Sequence, residues 1–230
     1  MTPKLVIRDG VAGAGRSPPL QKTFTGKTTD NFLIPGELAI KNYPDPHESP
    51  FIKPETEKRK ARILLTGPPR GGKTTIIQKV AAAFAGQATG FYTREVREQR
   101  VRVGFEIVTL DGQAAMLSHV DFPGPYRVGK YGVDLESLLR LGLPALEVKP
   151  GIDLVVVDEV GKMECLSRQF IQAMERLWAQ PVPLLITVAA KGGGYIHGIK
   201  AKPGATLITV TPANRDRLSD QISHILSSIR

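Results

Sequence analysis

The stretch TGPPRGGKTT, residues 66–75, constrains the fold more than any other in the chain. Two glycines five residues apart, Gly67 and Gly72, precede Lys73 and Thr74. Glycines permit backbone angles that turn successive N–H groups inward as an anion-binding nest. Such a loop grips a phosphate only when a strand delivers it and a helix follows, because the helix N-terminus adds unpaired N–H groups and the positive end of its dipole. Both flanks are present. ARILLT (61–66) is a short apolar run that reads as a buried strand, and IIQKVAAAFAG (76–86) is Ala-rich with apolar residues at helical spacing and Gly86 as a stop. Pro68 and Pro69 have no N–H, so the cradle is expected from Arg70, Gly71, Gly72, Lys73, Thr74 and Thr75. Lys73 is placed to neutralise the β- and γ-phosphates and the Thr74 hydroxyl to ligate magnesium.

A second GKTT, at 26–29, meets none of these conditions. Gln21 stands where the first glycine belongs, RSPPLQKTF precedes it in place of an apolar strand, and Pro35 cuts short any following helix. Lys27 therefore reads as a solvated loop residue.

Residues 1–60 hold eight of the 18 prolines and no sustained apolar periodicity. They read as an irregular Pro-rich extension with a short element near FLIPGELAI, ahead of one domain at 61–230. No apolar run is long enough to span a membrane, and no apolar secretory segment leads the chain. A single cysteine, Cys165, excludes an intrachain disulfide and suits a cytoplasmic setting. The net charge of +9 divides as +4 over residues 1–62 (eleven Lys/Arg against seven Asp/Glu) and +5 over the rest. Charge so spread, without a zinc-finger spacing or an aromatic stacking strand, leaves nucleic acid as a possible but unfavoured partner. The four histidines lack ligand spacing, so no zinc site is expected.

From residue 61 strand and helix signals alternate. ATGFYT (88–93) reads as a strand, and RVRVGFEIVTLDGQAAML (100–117) as a hairpin turning at Asp111-Gly112. VDLESLLRLGLPAL (133–146) reads as a helix and IDLVVVDEVG (152–161) as a buried strand ending in acids. In SRQFIQAMERLWAQ (167–180), Phe170, Ile171, Met174, Leu177 and Trp178 share one helical face. PLLITVAA (183–190) and ATLITV (205–210) follow as strands. Thr211 is expected to cap a last helix, with Leu218, Ile222, Ile225 and Ile229 inward. The alternation predicts an α/β fold, a mostly parallel central sheet with helices on both faces and ligands at the carboxyl ends of the strands.

Triphosphate hydrolysis needs a cradle, a metal and a group that orients water. Asp158, ending LVVVD, suits a magnesium ligand. Glu159 suits a proton acceptor for the attacking water. The alternative reading of this pair is a helix-cap or loop acid pair. In TVTPANRDRL, Asn214 and Arg215 follow a late strand where the nucleotide base passes in such sheets. Asn214 offers hydrogen bonds and Arg215 a stacking plane for the base, against a plainer reading in which Asn214 caps the turn and Arg215 pairs with Asp216 or solvent.

TGPPRGGKTT, TGFYTREVRE, RVGFEIVTLDG, YRVGKYGVDL, LVVVDEVGKMEC, PLLITVA and TPANRDRL occur in an order that resembles the small P-loop nucleoside-triphosphatases first known from thermophiles, whose animal relatives are called cancer-related nucleoside-triphosphatase. The resemblance covers roughly 61–220. It implies a RecA-like P-loop NTPase fold and magnesium-dependent hydrolysis of ATP, GTP and other nucleoside triphosphates to diphosphate and phosphate. It carries the cradle role to 67–74 and the acidic role to Asp158 and Glu159. The chain departs from the family at Arg70-Gly71, where smaller uncharged residues are usual, and in the glycine-rich KGGGYIHG (191–198). Two other classes share the cradle: a P-loop kinase passing the γ-phosphate to a small acceptor, and a nucleic-acid-dependent ATPase. Oligomeric state is not legible.

Overall fold

The computed structural model describes residues 60–229. The Pro-rich extension, its short element near FLIPGELAI and the GKTT copy at Lys27 lie outside the described residues. Among the described residues one nine-stranded sheet organises the chain, in the order β5-β6-β4-β3-β2-β7-β8-β1-β9.

The strands are β1 (Arg62–Thr66), β2 (Ala88–Glu98), β3 (Val101–Thr109), β4 (Ala114–His119), β5 (Arg127–Val128), β6 (Tyr131–Val133), β7 (Leu154–Val160), β8 (Leu184–Val188) and β9 (Ala205–Thr209). The helices are α1 (Lys73–Ala83), α2 (Leu135–Ser137), α3 (Leu143–Ala145), α4 (Arg168–Ala179), α5 (Tyr195–Lys200) and α6 (Arg215–Ser228). A π-helical stretch, Leu138–Gly142, joins α2 to α3, and a 3-10 turn, Glu164–Leu166, precedes α4.

β2, β7, β8, β1 and β9 run parallel, and the carboxyl ends of these five strands form the edge that carries the phosphate loop. β3, β4, β6 and β5 extend the sheet by antiparallel pairing. β2 belongs to both halves. It pairs with β7 as far as Tyr92, opposite Asp158, then continues to Glu98 as one arm of a hairpin with β3. The sequence run ATGFYT marks only the first half of β2, because the second half, TREVRE, is held by cross-strand pairing and not by burial.

Alternation along the central strands feeds two cores. Leu64, Val155, Val157 and Ile186 face α4, α5 and the 135–145 segment, meeting Phe170, Met174, Leu177 and Ile199. Ile63, Leu65, Leu154, Val156 and Leu185 face the other way, against Ile76, Ile77 and Val80 of α1 and Leu218, Ile222 and Leu226 of α6. Helices therefore cover both faces. Each such fully buried aliphatic side chain contributes on the order of 2 kcal/mol.

Several local expectations change. Val133 ends β6, and the helix after it starts only at Leu135, because Asp134 accepts hydrogen bonds from the Glu136 and Ser137 amides (2.9 and 3.2 Å) and acts as N-cap. The last helix starts later than a Thr211 cap implies. Asn214 occupies the N-cap position and Arg215 is the first helical residue. Ile225 lies 40% exposed, and Leu226 takes the inward position beside Ile222. On α4, Ile171 and Trp178 are half-buried flanks of the stripe. The glycine-rich 191–198 stretch contains the start of α5, with Gly194 as its N-cap at φ 56°.

Arg62, an unusual occupant for a buried strand, ties the sheet to α4. It is 3% exposed. Its guanidinium donates to the carbonyls of Trp178 (2.9 Å), Gln180 (2.5 Å) and Val182 (2.6 Å), which close the C-terminus of α4 and the turn beyond it. Burial lowers its pKa to about 10, which leaves it charged at neutral pH. A cation on the last carbonyls of a helix also opposes the negative end of the helix dipole. Arg62→Met strips those carbonyls of their donor, the Val182 carbonyl in a buried position and the other two in part-buried ones. We expect it to lower the urea-unfolding free energy by about 3 kcal/mol. A loss under about 0.5 kcal/mol, the level of an ordinary surface change, would show that the carbonyls find other donors.

Candidate active site

β1 runs into the loop at Thr66, and α1 begins at Lys73. The loop turns on two glycines. Gly67, at φ 148°, passes so close to β9 that a Cβ there would lie 2.7 Å from the Val210 carbonyl oxygen. Gly72 is the N-cap of α1 in the left-handed conformation, φ 96°. Arg70 is also left-handed, φ 60°, a conformation that an L-residue adopts at a cost of about 1 kcal/mol. Its side chain is exposed, as are Pro68, Pro69 and Thr75, while Gly71, Gly72 and Thr74 are half-buried. The turn is closed by Gly71 N–H donating to the Pro68 carbonyl at 3.1 Å. Lys73 is buried and folds back over the loop, its Nζ donating to the carbonyls of Gly67 (3.2 Å) and Pro68 (3.1 Å).

The acids lie at the carboxyl end of β7, two strands from β1 with β8 between. Asp158 is 2% exposed. Its Oδ1 accepts from the Thr187 hydroxyl of β8, and its Oδ2 is buried without a hydrogen-bond partner among the described residues. Burial raises its pKa, against the Thr187 and Thr74 hydroxyls and the Lys73 charge, which lower it. Glu159 follows through a cis peptide and is half-buried. Burial raises its pKa, the Asp158 charge adds to the rise, and Lys73 and Lys200 oppose it.

Sequence reasoning missed three contributors. Thr187 is the polar residue within the apolar strand PLLITV, a signal that was readable. Lys200 ends α5, and its Nζ donates to the Ala190 carbonyl at 3.0 Å, within influence of Glu159. Glu164 had no local signal. It is 4% exposed, accepts from the Gly161 N–H at 3.1 Å, and lies with Glu159 close against Gly161: a Cβ there would meet Glu159 Oε1 at 2.7 Å and Glu164 Oε2 at 3.0 Å. Any side chain at 161 would push these carboxyl groups apart.

The structure brings 67–75, Asp158 and Glu159 to one edge of the sheet. Asn214 and Arg215 join it from the β9–α6 turn. Both ends of the Asn214 amide are used by backbone: Oδ1 accepts from Thr211 N–H (2.8 Å) and Nδ2 donates to the Thr209 carbonyl (2.9 Å). Arg215 Nε lies 3.4 Å from Asp216 Oδ1 in an exposed pair. Elsewhere on the sheet, Arg94 pairs with Glu106 at 2.5 Å and Arg127 donates to the carbonyls of Phe122 and Lys130.

A family described as NTPase matches residues 62–223, most of the described domain. The chain belongs to this NTPase family. Nucleoside-triphosphatase THEP1 of Thermotoga petrophila is 40% identical over 166 residues, covering 72% of this chain and 92% of the relative. The human cancer-related nucleoside-triphosphatase is 36% identical over 185 residues, covering 73% of this chain and 97% of the relative. Among solved structures, THEP1 from Aquifex aeolicus superposes with a TM-score of 0.67 at 34% identity, covering 72% of this chain and 98% of that one. The solution structure of the human protein gives 0.63 at 36% identity, covering 74% and 99%. The NTPase fold expected from the motifs is the fold present, with the phosphate loop on the parallel half of the sheet. No helix among the described residues is long and apolar enough to cross a membrane.

The buried acids of this NTPase domain make its stability depend on pH. An ordinary glutamate ionises near pH 4.5, whereas burial, with the Glu159 charge beside it, pushes Glu164 up to about 8. Between those values the folded protein holds a proton that the unfolded chain has released. The associated stability is complete below about 4.5 and is lost as pH rises through about 8. Glu164→Gln removes that slope. Urea unfolding from about pH 5 to 8 should show wild type losing stability relative to the variant by about 1 kcal/mol per pH unit. Parallel curves would mean that Glu164 is ionised in the fold.

Proposed function

We propose that the protein is a magnesium-dependent nucleoside-triphosphate phosphohydrolase that converts ATP, GTP and related triphosphates to the diphosphate and phosphate. The observation that carries this reading is a glycine-rich loop with buried Lys73 at the same sheet edge as buried Asp158 and half-buried Glu159. The relatives named nucleoside-triphosphatase support it.

In this reading the amides from Arg70 to Thr75 cradle the phosphates, with Gly67, Pro68 and Pro69 shaping the loop. Triphosphate oxygens displace the Gly67 and Pro68 carbonyls from Lys73, exchanging weak neutral acceptors for charged ones. The residues present fit a magnesium ion. Asp158 Oδ2 is a buried carboxylate oxygen without a hydrogen-bond partner among the described residues, and the Thr74 hydroxyl lies close enough to affect Asp158 ionisation. An oxygen-only set supplemented by phosphate and water is what this cation takes. When bound, the ion neutralises phosphate charge. Glu159 accepts a proton from the attacking water as its oxygen bonds to the γ-phosphorus and the β–γ bridging oxygen leaves with the diphosphate. Burial raises the basicity of Glu159 for that task, and Lys200 holds the carboxylate in check. Arg215 completes the nucleotide-binding set from the β9–α6 turn; Asn214, expected to offer hydrogen bonds to the base, instead spends both ends of its amide on the turn that holds Arg215. A cytoplasmic setting accords with a chain whose one cysteine, Cys165, is a free thiol.

Phosphate release from ATP, GTP, CTP and UTP, with and without magnesium, tests the reading. Lys73→Ala is expected to abolish turnover and weaken triphosphate binding, and Lys27→Ala to do neither. Glu159→Gln is expected to retain nucleotide binding while lowering kcat by about 100-fold or more. Transfer of label to an added acceptor in place of water, or equal loss of binding in the Glu159 and Asp158→Asn variants, would overturn this assignment.

A further inference from the structure

The β9–α6 turn runs beside the phosphate loop along its length. At the start of the loop, Val210 N–H donates to the Thr66 carbonyl at 2.7 Å. One residue later the Val210 carbonyl oxygen sits 2.7 Å from where a Gly67 Cβ would be. At its end, the Arg215 Cδ lies 3.9 Å from where a Gly72 Cβ would be. The guanidinium begins one bond beyond that carbon, so it lies within a side chain's reach of the Gly72 end of the loop, where α1 begins.

Three features make this guanidinium available to an anion. Its partner is Asp216, in a 3.4 Å contact with the two side chains 50% and 84% exposed, and such a pair costs little to break. Arg215 is the first residue of α6, where the positive end of the helix dipole favours an anion alongside it, as Asp216 in the same turn already illustrates. The turn that presents it is fixed, because both ends of the Asn214 amide are committed to Thr211 and Thr209. Asn214 therefore acts as a positioning residue for its neighbour. The planar fork of arginine suits paired phosphate oxygens.

We propose that Arg215 binds the phosphate chain of the nucleotide, as a second cation at the cradle beside Lys73, and does not stack on the base. This rests on the triphosphate-binding reading of the site. It differs from the base-contact expectation in a way that inorganic triphosphate separates, since that ligand has phosphates and no base.

Calorimetric titration of the full-length chain with ATP, adenosine and inorganic triphosphate, each with magnesium, tests it. Arg215→Ala is expected to weaken ATP and inorganic triphosphate alike, by about 10- to 100-fold, the scale of a hydrogen bond to a charged group, and to leave adenosine unchanged. Arg215→Lys, which keeps the charge without the fork, is expected to fall between the two, and guards against a folding defect in the alanine variant. Unchanged triphosphate affinity in the alanine variant overturns the proposal. So does a loss for ATP with none for inorganic triphosphate, which would return Arg215 to the base. Wild type that binds inorganic triphosphate yet releases no phosphate from any nucleotide would sink the hydrolase reading and leave the Arg215 result standing. Wild type that binds neither triphosphate overturns both.

Discussion

A carboxylate buried at the end of a central strand is the constraint to which the rest of the site answers. Asp158 has one oxygen satisfied by Thr187 and the other unpartnered among the described residues. A lone buried charge of that kind is costly unless a cation or a proton meets it. Lys73 supplies part of the answer, and in the proposed function a divalent cation would supply the remainder. The parallel order β7-β8-β1 puts the acid and the phosphate loop at the same edge with one strand between, and β8 contributes the threonine that fixes the acid. The two apolar cores hold that arrangement by trapping alternate residues of β1 and β7 on opposite faces. A slip of one residue in β7 would move Asp158 to the other face, away from α1.

Charge around the edge is arranged by element. The acids come from β7 and the turn after it. Cations come from α1 with Lys73, from α5 with Lys200, and from α6 with Arg215. Glu164 stands apart from this balance: buried and raised to about 8, it shares Gly161 with Glu159 while carrying no net charge at neutral pH. A neutral neighbour permits Glu159 to ionise where a second carboxylate anion would resist it.

Much of this was legible along the chain. The phosphate loop needed only local information, because strand, glycines and helix are contiguous, and LVVVDE announced itself as a buried strand ending in acids. What required the fold were contacts distant in sequence. Glu164 looks like any surface glutamate until the 3-10 turn points it at Gly161. Arg62 goes unnoticed in a run that reads as apolar, until the end of α4 and the turn beyond it bring three carbonyls to it. The two-residue β5 and three-residue β6 are too short for any periodicity to mark them. The start of α6 moved because a Thr-Pro pair resembles a cap, whereas the Asn214 side chain closes the turn onto Thr209 and Thr211 instead.

The proposed phosphate cradle is 67–75, and not the earlier GKTT. Amide hydrogen exchange of the full chain, with and without a non-hydrolysable nucleoside triphosphate and magnesium, reads it at the atoms concerned. Exchange at the amides of Gly71 to Thr75 is predicted to slow by about 10-fold or more on binding, as donors engage the phosphates, with no change at Gly26 to Thr28. Protection at 26–28, or bound nucleotide with no protection at 71–75, would contradict the account.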